Sequence, residues 1–186
     1  QRTQDRELKA FRDICDDLEI LEKYEIDIPF FTQIGASALT DKTIDVPTGG
    51  VEAGVPITYV PFRNGIFLSI TAAIAEKEGA TAMYIGVVQE DSSGYPDCTD
   101  EFIADMKKAI NQGTKKDTHI DILTPLVHLS KAQIVQEAMK LNVPLEHTWS
   151  CYKEEDEACG ICDSCRLRLN GFKLANQIDP IPYKAL

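Results

Sequence analysis

The chain has 186 residues with a formal net charge of −11, and 44% of the residues are hydrophobic and 26% charged. This length and composition are typical of one globular domain with a sizeable core, and the acidic balance argues against a protein that wraps nucleic acid with a broad basic face. The sequence has neither an apolar run of about 18 residues nor a charged-then-apolar leader, so we expect no membrane span and no secretion signal.

A helical pattern starts with the first residues, where Leu8, Phe11, Cys15 and Leu18 share one apolar stripe. Within that stripe, Cys15 is expected to be a small buried hydrophobe rather than a reactive thiol. A helix that starts at once, without a strand before it, predicts an α/β domain whose beginning lies upstream. We therefore expect residues 1–186 to form a single domain that is incomplete at its N-terminus.

Two short strands are predicted in the next part of the chain. Residues 24–31 alternate polar and apolar side chains, which predicts a strand. The stretch that follows, to Gly54, is rich in Thr, Gly, Asp and Pro and is predicted to be a long loop that covers a site. Residues 58–60 form a short β-like run that stops at Pro61.

Helices and strands are then predicted to alternate. Asn64 is expected to cap a helix that ends at Gly79. Residues 81–88 form a nearly continuous apolar run, which is typical of a strand buried on both faces of a parallel sheet. Thr99 is expected to cap a helix over residues 100–111.

The same alternation continues to the end of the chain. Residues 119–123 are predicted to form a strand, Ser130 to cap a helix that continues through Leu141, and residues 163–176 to form a last helix. Alternating strands and helices predict a doubly wound, mostly parallel α/β sheet with right-handed crossovers.

Four of the six cysteines lie within fifteen residues in the pattern C-x7-C-x2-C-x2-C: Cys151, Cys159, Cys162 and Cys165. Four sulfur ligands without a histidine suit a closed, structural zinc site. A disulfide pair is disfavoured, because two C-x2-C steps close very short loops and the chain does not resemble a secreted disulfide scaffold. An iron–sulfur cluster remains an alternative, although its common spacings differ. Free thiols are typical of the reducing cytoplasm, where we expect the protein to be located.

Three loops follow predicted strands, and ligands of such sheets bind at the carboxyl ends of the strands. Arg63 and Asn64 place a fixed cation beside a helix start, which favours an anion site. The loop of residues 89–98 concentrates carboxylates, hydroxyls and a ring. Lys131 lies in the first turn of a helix, an unusual position for a cation unless a phosphate is bound opposite it.

Each of these loops also has a purely structural interpretation. Arg63 would then form a surface ion pair, Asp91 and Asp97 would only shape turns, and Lys131 would be solvated. Composition alone favours these interpretations.

Taken together, the motifs resemble the 7-cyano-7-deazaguanine synthase family of queuosine and archaeosine biosynthesis. The resemblance covers essentially the whole sequence, and its most specific part is the string Ser-Gly-Tyr-Pro-Asp-Cys together with the cysteine spacing. The matching positions are Val60-Pro-x-Arg63-Asn64, Gly86, Ser93 to Cys98 with Asp100-Glu101-Phe102, Thr124-Pro125-Leu126 with Lys131, Ser150-Cys151-Tyr152, and Cys159-Gly160-x-Cys162-x-x-Cys165-x-x-Arg168-x-x-Gly171-Phe172.

The resemblance implies a PP-loop fold, similar to the adenine nucleotide alpha hydrolases, with a C-terminal four-cysteine zinc segment over residues 150–172. It implies a cytoplasmic ATP-dependent ligase that uses Mg²⁺ and ammonia. The acid 7-carboxy-7-deazaguanine is adenylated, converted to an amide, activated again and dehydrated to the nitrile. Arg63 and Lys131 are then expected to act on the phosphates, whereas the deazaguanine is expected to contact Asn64, Asp91, Tyr95 and Asp97. No direct contact with nucleic acid or membrane is expected, and a homodimer is compatible with the resemblance.

One family motif, the phosphate-binding loop Ser-Gly-Gly-x-Asp-Ser, does not occur in these 186 residues. We expect it to lie upstream. Two alternatives remain, a zinc-stapled relative that binds a purine or a protein without catalysis, and a PP-loop enzyme of tRNA thiolation. The acidic balance and the regular cysteine spacing disfavour the second of these.

Overall fold

The computed structural model describes residues 2–49, 54–88 and 94–184. The chain divides into two compact units. Residues 1–52, 57–60 and 131–186 form the cysteine unit, and residues 53–56 and 61–130 form the sheet unit. Over the described ranges, no helix is both long and apolar enough to cross a membrane.

Six α-helices and two strands are described. In chain order they are α1 (Gln4–Asp17), α2 (Phe30–Ile34), α3 (Arg63–Glu78), β1 (Ala82–Tyr84), α4 (Asp100–Gly113), β2 (Asp121–Leu123), α5 (Lys131–Lys140) and α6 (Asp163–Leu174). Short 3-10 turns cover Pro96–Cys98 and Leu145–His147.

The sheet unit is built on β1 and β2, which pair in parallel with Met83 opposite Ile122. Helix α4 connects the two strands, as parallel strands require a crossover. The Asn111 side chain of α4 closes the turn into β2, because it donates to the Ile120 carbonyl at 2.8 Å and accepts from the Ile120 N–H at 2.9 Å. The buried core collects apolar side chains from α3, α4 and both strands, with Ile120 fully buried.

The start of α4 follows its sequence signal. The Thr99 hydroxyl accepts a hydrogen bond from the Phe102 N–H at 3.2 Å, which confirms Thr99 as the cap. Helix α4 extends slightly further than predicted, to Gly113.

In the cysteine unit, α5 and α6 pack closely because α6 carries a glycine at their contact. A Cβ at Gly171 would lie 2.7 Å from the Cβ of Lys131, so only glycine lets the two backbones approach this closely. A small core of Val135, Phe172 and Ala175 forms beside that contact. Helix α1 buries Cys15, which confirms the expectation for that thiol.

Several predicted strands are shorter than expected or absent. Residues 20–28 form no strand, and α2 begins at Phe30, so the strand predicted over 24–31 is wrong. Residues 58–60 are not a strand either. Alternation of polar and apolar residues produces a strand only where a neighbouring strand supplies hydrogen bonds, and the described residues offer none to residues 24–31.

The parallel α/β arrangement is confirmed within the sheet unit, but the described sheet has only two strands. Of the runs 81–88 and 119–123, only the three-residue segments β1 and β2 form strands. A larger, doubly wound sheet therefore stays a prediction, as does the single-domain organisation of the whole chain.

Candidate functional site

The four cysteines of the C-terminal segment converge on one point. Their Sγ atoms all lie within 4.8 Å of one another, and those of Cys159 and Cys165 are 4.0 Å apart. A tetrahedral zinc ion with Zn–S bonds of about 2.3 Å separates its sulfurs by about 3.8 Å. All six cysteines of the chain are free thiols, which excludes the disulfide alternative. The arrangement therefore fits a single metal ion with four sulfur ligands.

Backbone N–H groups near the cluster stabilise negative charge on its sulfurs. The Lys153 and Cys159 N–H groups donate to Cys151 Sγ, and the Cys162 N–H donates to Cys159 Sγ, each at 3.4 Å. Cys162 immediately precedes α6 and Cys165 lies in its first turn, where the helix dipole favours thiolates. Such donors stabilise the net negative charge that remains when four thiolates share one divalent ion.

The thiols compete for charge when no cation balances them. Hydrogen bonds from Cys162 and Cys165 lower the pKa of Cys151, and the hydrogen bond to Cys151 raises the pKa of Cys162 to about 11. Hydrogen bonds to Cys151 and Cys162 raise the pKa of Cys165 as well. A bound divalent cation would favour the deprotonated forms of Cys162 and Cys165, because sulfur ligands bind metals as thiolates.

The cluster is closed to solvent. Each of the four cysteines is at most 7% exposed, and the surrounding side chains are mostly apolar, including Ala38, Val46 and Ile181. A catalytic zinc keeps an open position for water or substrate, whereas a structural zinc does not. The burial therefore favours a structural role for a metal at this site.

A buried ion pair lies beside the cluster, and sequence analysis assigned it no role. Arg168 of α6 donates from its Nε and a terminal nitrogen to both carboxylate oxygens of Asp179, at 2.7 and 2.8 Å. Asp179 also accepts from the Tyr183 hydroxyl at 2.7 Å, and burial followed by this hydrogen bond raises the pKa of Tyr183. The segment that follows α6 thereby returns to the cysteine loop, where Ala158 and Tyr183 form a parallel bridge.

In the sheet unit, the start of α3 differs from its prediction. Helix α3 begins at Arg63, so Asn64 lies inside the first turn and is not the cap. The Asn64 N–H instead donates to Asp97 Oδ2 at 2.9 Å. A protein carboxylate therefore already occupies this part of the helix N-terminus, where an external anion had been expected.

Other predicted substrate residues are only partly located. Tyr95 is half-buried and packs against the core of the sheet unit, and Asp97 is 5% exposed. Asp91 lies outside the described residues. Lys131, the first residue of α5, belongs to the cysteine unit. A common site for Arg63, Asn64, Asp91, Tyr95, Asp97 and Lys131 stays a prediction.

Comparison with known proteins identifies the family. The family model described as queuosine biosynthesis protein QueC matches residues 1–176. The chain belongs to the QueC family. The match includes all four cysteines, Arg168 and the loop that ends at Cys98, so the site residues discussed above, apart from Asp179, Ile181 and Tyr183, fall within the QueC match.

Individual relatives support this QueC assignment. A 7-cyano-7-deazaguanine synthase of Aliarcobacter butzleri is 85% identical over 99% of this chain and 81% of its own length. Proteins of the same name from Nautilia profundicola and Campylobacter concisus are 70% and 60% identical, each over 99% of this chain and 83% of its own length. The resemblance inferred from the sequence is thereby confirmed.

Proposed function

We propose that this chain is an ATP-dependent ligase that converts 7-carboxy-7-deazaguanine and ammonia to 7-cyano-7-deazaguanine. The observation that carries the proposal is the 85% identity, over nearly the whole chain, to a relative that is named 7-cyano-7-deazaguanine synthase. In the first half of the reaction the acid takes AMP from ATP with release of pyrophosphate, and ammonia displaces the AMP to form an amide. A second adenylation activates the amide oxygen, which leaves with AMP as the nitrile forms.

The proposed roles follow the charge that each step develops. Adenylyl transfer depends on positioning and on cations around the phosphates, and we assign this work to Arg63, Lys131 and the Mg²⁺ ion that enters with ATP. The flat deazaguanine needs ring contacts and hydrogen-bond partners. Tyr95 supplies the ring contact, and Asn64, Asp91 and Asp97 complete the assigned substrate residues.

We assign zinc, in a structural role, to the cysteine cluster. The all-sulfur donor set, the closed surroundings and the mutual proximity of the four sulfurs support this assignment. When bound, the ion would supply cross-linking of the C-terminal segment rather than chemistry. Cys151, Cys159, Cys162 and Cys165 would hold it as thiolates.

Catalysis is proposed to require the Ser-Gly-Gly-x-Asp-Ser loop, which these 186 residues do not contain. A backbone cradle provides several preorganised donors, and loss of even one such donor costs about 10²–10³ in rate. We therefore expect residues 1–186 alone to form no measurable nitrile. A longer chain that carries the loop is expected to do so.

The experiment compares these two proteins for release of AMP and pyrophosphate, with and without the acid. Acid-dependent release only by the longer chain supports the proposal. Robust release by residues 1–186 alone would refute the role given to the loop. Binding of the acid without any AMP release by the longer chain would instead support a non-catalytic binding protein. A cytoplasmic location and a homodimer belong to the same proposal.

A further inference from the structure

Helix α3 lacks a cap of its own. The first N–H groups of a helix have no partner within the helix and need acceptors from outside it. The residue before α3 is Phe62, whose side chain cannot accept a hydrogen bond, and it adopts a left-handed conformation with φ of 55°. The acceptor comes from 33 residues further along the chain, where Asp97 Oδ2 receives the Asn64 N–H at 2.9 Å.

Asn64 donates to this loop from its side chain as well as from its backbone. The Asn64 side-chain amide donates to the Asp97 carbonyl at 3.0 Å and to Cys98 Sγ at 3.3 Å. Asp97 and Cys98 are only 5% and 9% exposed, so these hydrogen bonds are shielded from water. The Asp97 carboxylate thus accepts from the first turn of α3 as an N-cap side chain would, but from a distant segment of the chain. We call the hydrogen-bonded group of Asn64, Asp97 and Cys98 the α3 latch.

Packing restrains the backbone on the other side of Arg63. A Cβ at Gly65 would lie 2.4 Å from the Phe62 ring, so this ring lies directly against the first turn of α3. The ring of Phe62 also makes an edge contact with Phe102 of α4, with centroids 5.8 Å apart. Arg63 thus lies between Phe62, whose ring contacts the first turn of α3, and Asn64, which is hydrogen-bonded to Asp97.

We propose that Asp97 is a positioning residue for Arg63 rather than a contact for the deazaguanine. Its carboxylate is buried and accepts a hydrogen bond from the first turn of α3, and this bond restrains the backbone next to Arg63. This proposal rests on the proposed function, in which Arg63 meets the phosphates of ATP, and it replaces the substrate role given above to Asp97. The loop of residues 94–98 then acts on the nucleotide through α3.

The test separates an acceptor from an anionic substrate contact by replacing Asp97 in the full chain. Asp97→Asn keeps an oxygen that can accept from the Asn64 N–H, whereas Asp97→Ala removes it. As a positioning residue, Asp97→Ala lowers kcat/KM for ATP about 10- to 100-fold, the cost of misplacing a charge-stabilising group, and leaves KM for the acid unchanged. Asp97→Asn stays close to the wild type for both substrates.

A contact with the deazaguanine predicts a different pattern. Both variants would then raise KM for the acid, because an amide NH₂ group opposes the donors of the base edge, and KM for ATP would change little. That pattern overturns the proposal. If Asp97→Ala does not fold, Asp97→Asn decides alone, because a raised KM for the acid in that variant is sufficient to refute positioning.

Asp105→Ala is the matched control, because Asp105 is a carboxylate on α4 with a 76% exposed side chain, and it is expected to leave both KM values unchanged.

A second readout distinguishes failure of this inference from failure of the proposed function. Amide hydrogen exchange at Asn64 is expected to accelerate about fivefold or more in Asp97→Ala, as loss of a helix cap predicts, and little in Asp97→Asn. Faster exchange together with normal kinetics of Arg63→Ala would mean that the latch exists but Arg63 does not serve ATP. Unchanged exchange in Asp97→Ala would refute the latch itself.

Discussion

The buried pair of Arg168 and Asp179 permits a quantitative prediction. The two side chains are only 12% and 3% exposed, and Asp179 accepts two hydrogen bonds from Arg168 and one from Tyr183. Hydrogen bonds to charged groups contribute about 1.5–3 kcal/mol each, and loss of one partner of a buried pair costs about 3–5 kcal/mol. We expect Asp179→Ala to lower the free energy of unfolding by about 3–5 kcal/mol, a large part of the 5–15 kcal/mol that is typical of whole proteins.

Urea denaturation of the metal-loaded protein measures this loss, provided that the slope of unfolding free energy with urea is unchanged. Glu154→Ala is the matched control. Glu154 pairs with Lys184 and also joins the cysteine loop to the last segment, but the two side chains are 36% and 49% exposed, so its removal costs about 0–1 kcal/mol. Equal losses in the two variants would refute the reasoning, because burial would then make no difference.

Three further predictions concern the cysteine unit. The purified protein is expected to contain about one zinc per chain. Because structural zinc contributes about 10–16 kcal/mol of binding free energy in small peptides, a chelator should unfold the C-terminal segment. Elemental analysis that finds iron instead would contradict the assignment of zinc. Burial and, after it, the hydrogen bond to Asp179 raise the pKa of Tyr183 above 10.0, so the stability that the neutral Tyr183 hydroxyl contributes is complete below pH 10.0 and is lost as the pH rises further. Tyr183→Phe should therefore reduce the loss of unfolding free energy at alkaline pH. An unaltered pH profile of stability would contradict this expectation. Gly171→Ala places a Cβ 2.7 Å from the Lys131 Cβ and should cost about 1–3 kcal/mol, whereas Gly113→Ala, which meets no atom within 4 Å, should not; equal thermal stability of the two variants would contradict the packing argument.

The four-cysteine cluster could be predicted because its geometry is encoded locally. All four cysteines lie within fifteen residues, and short C-x2-C steps bring sulfurs together whatever the rest of the fold does. The start of helix α4 could be predicted for the same reason, because the Thr99 hydroxyl accepts its hydrogen bond from the N–H of Phe102, only three residues away. Interactions between residues this close in the sequence can be predicted without knowledge of the tertiary structure.

Strand predictions depended on neighbours that the pattern does not contain. The alternation over residues 24–31 is genuine, yet these residues form no strand and Ile26 remains 50% exposed. A strand is stabilised by the strand beside it, and its own sequence cannot specify whether that partner is present. The predicted strands over residues 81–88 and 119–123 form only as β1 and β2, which pair with each other. Burial on both faces was a wrong prediction, because Tyr84 is 72% and Leu123 37% exposed.

The α3 latch shows why the site was harder to predict than the metal. Sequence analysis identified Arg63, Asn64 and Asp97 but treated the helix start as an open anion site. In the structure, the Asn64 N–H is satisfied by a carboxylate 33 residues away, and no local pattern encodes a hydrogen bond over that distance. A helix N-terminus that already holds a buried carboxylate attracts a second anion less strongly. Residue type could nominate Arg63, Asn64 and Asp97 as candidates, whereas the hydrogen bond that joins Asn64 to Asp97 became visible only in the fold.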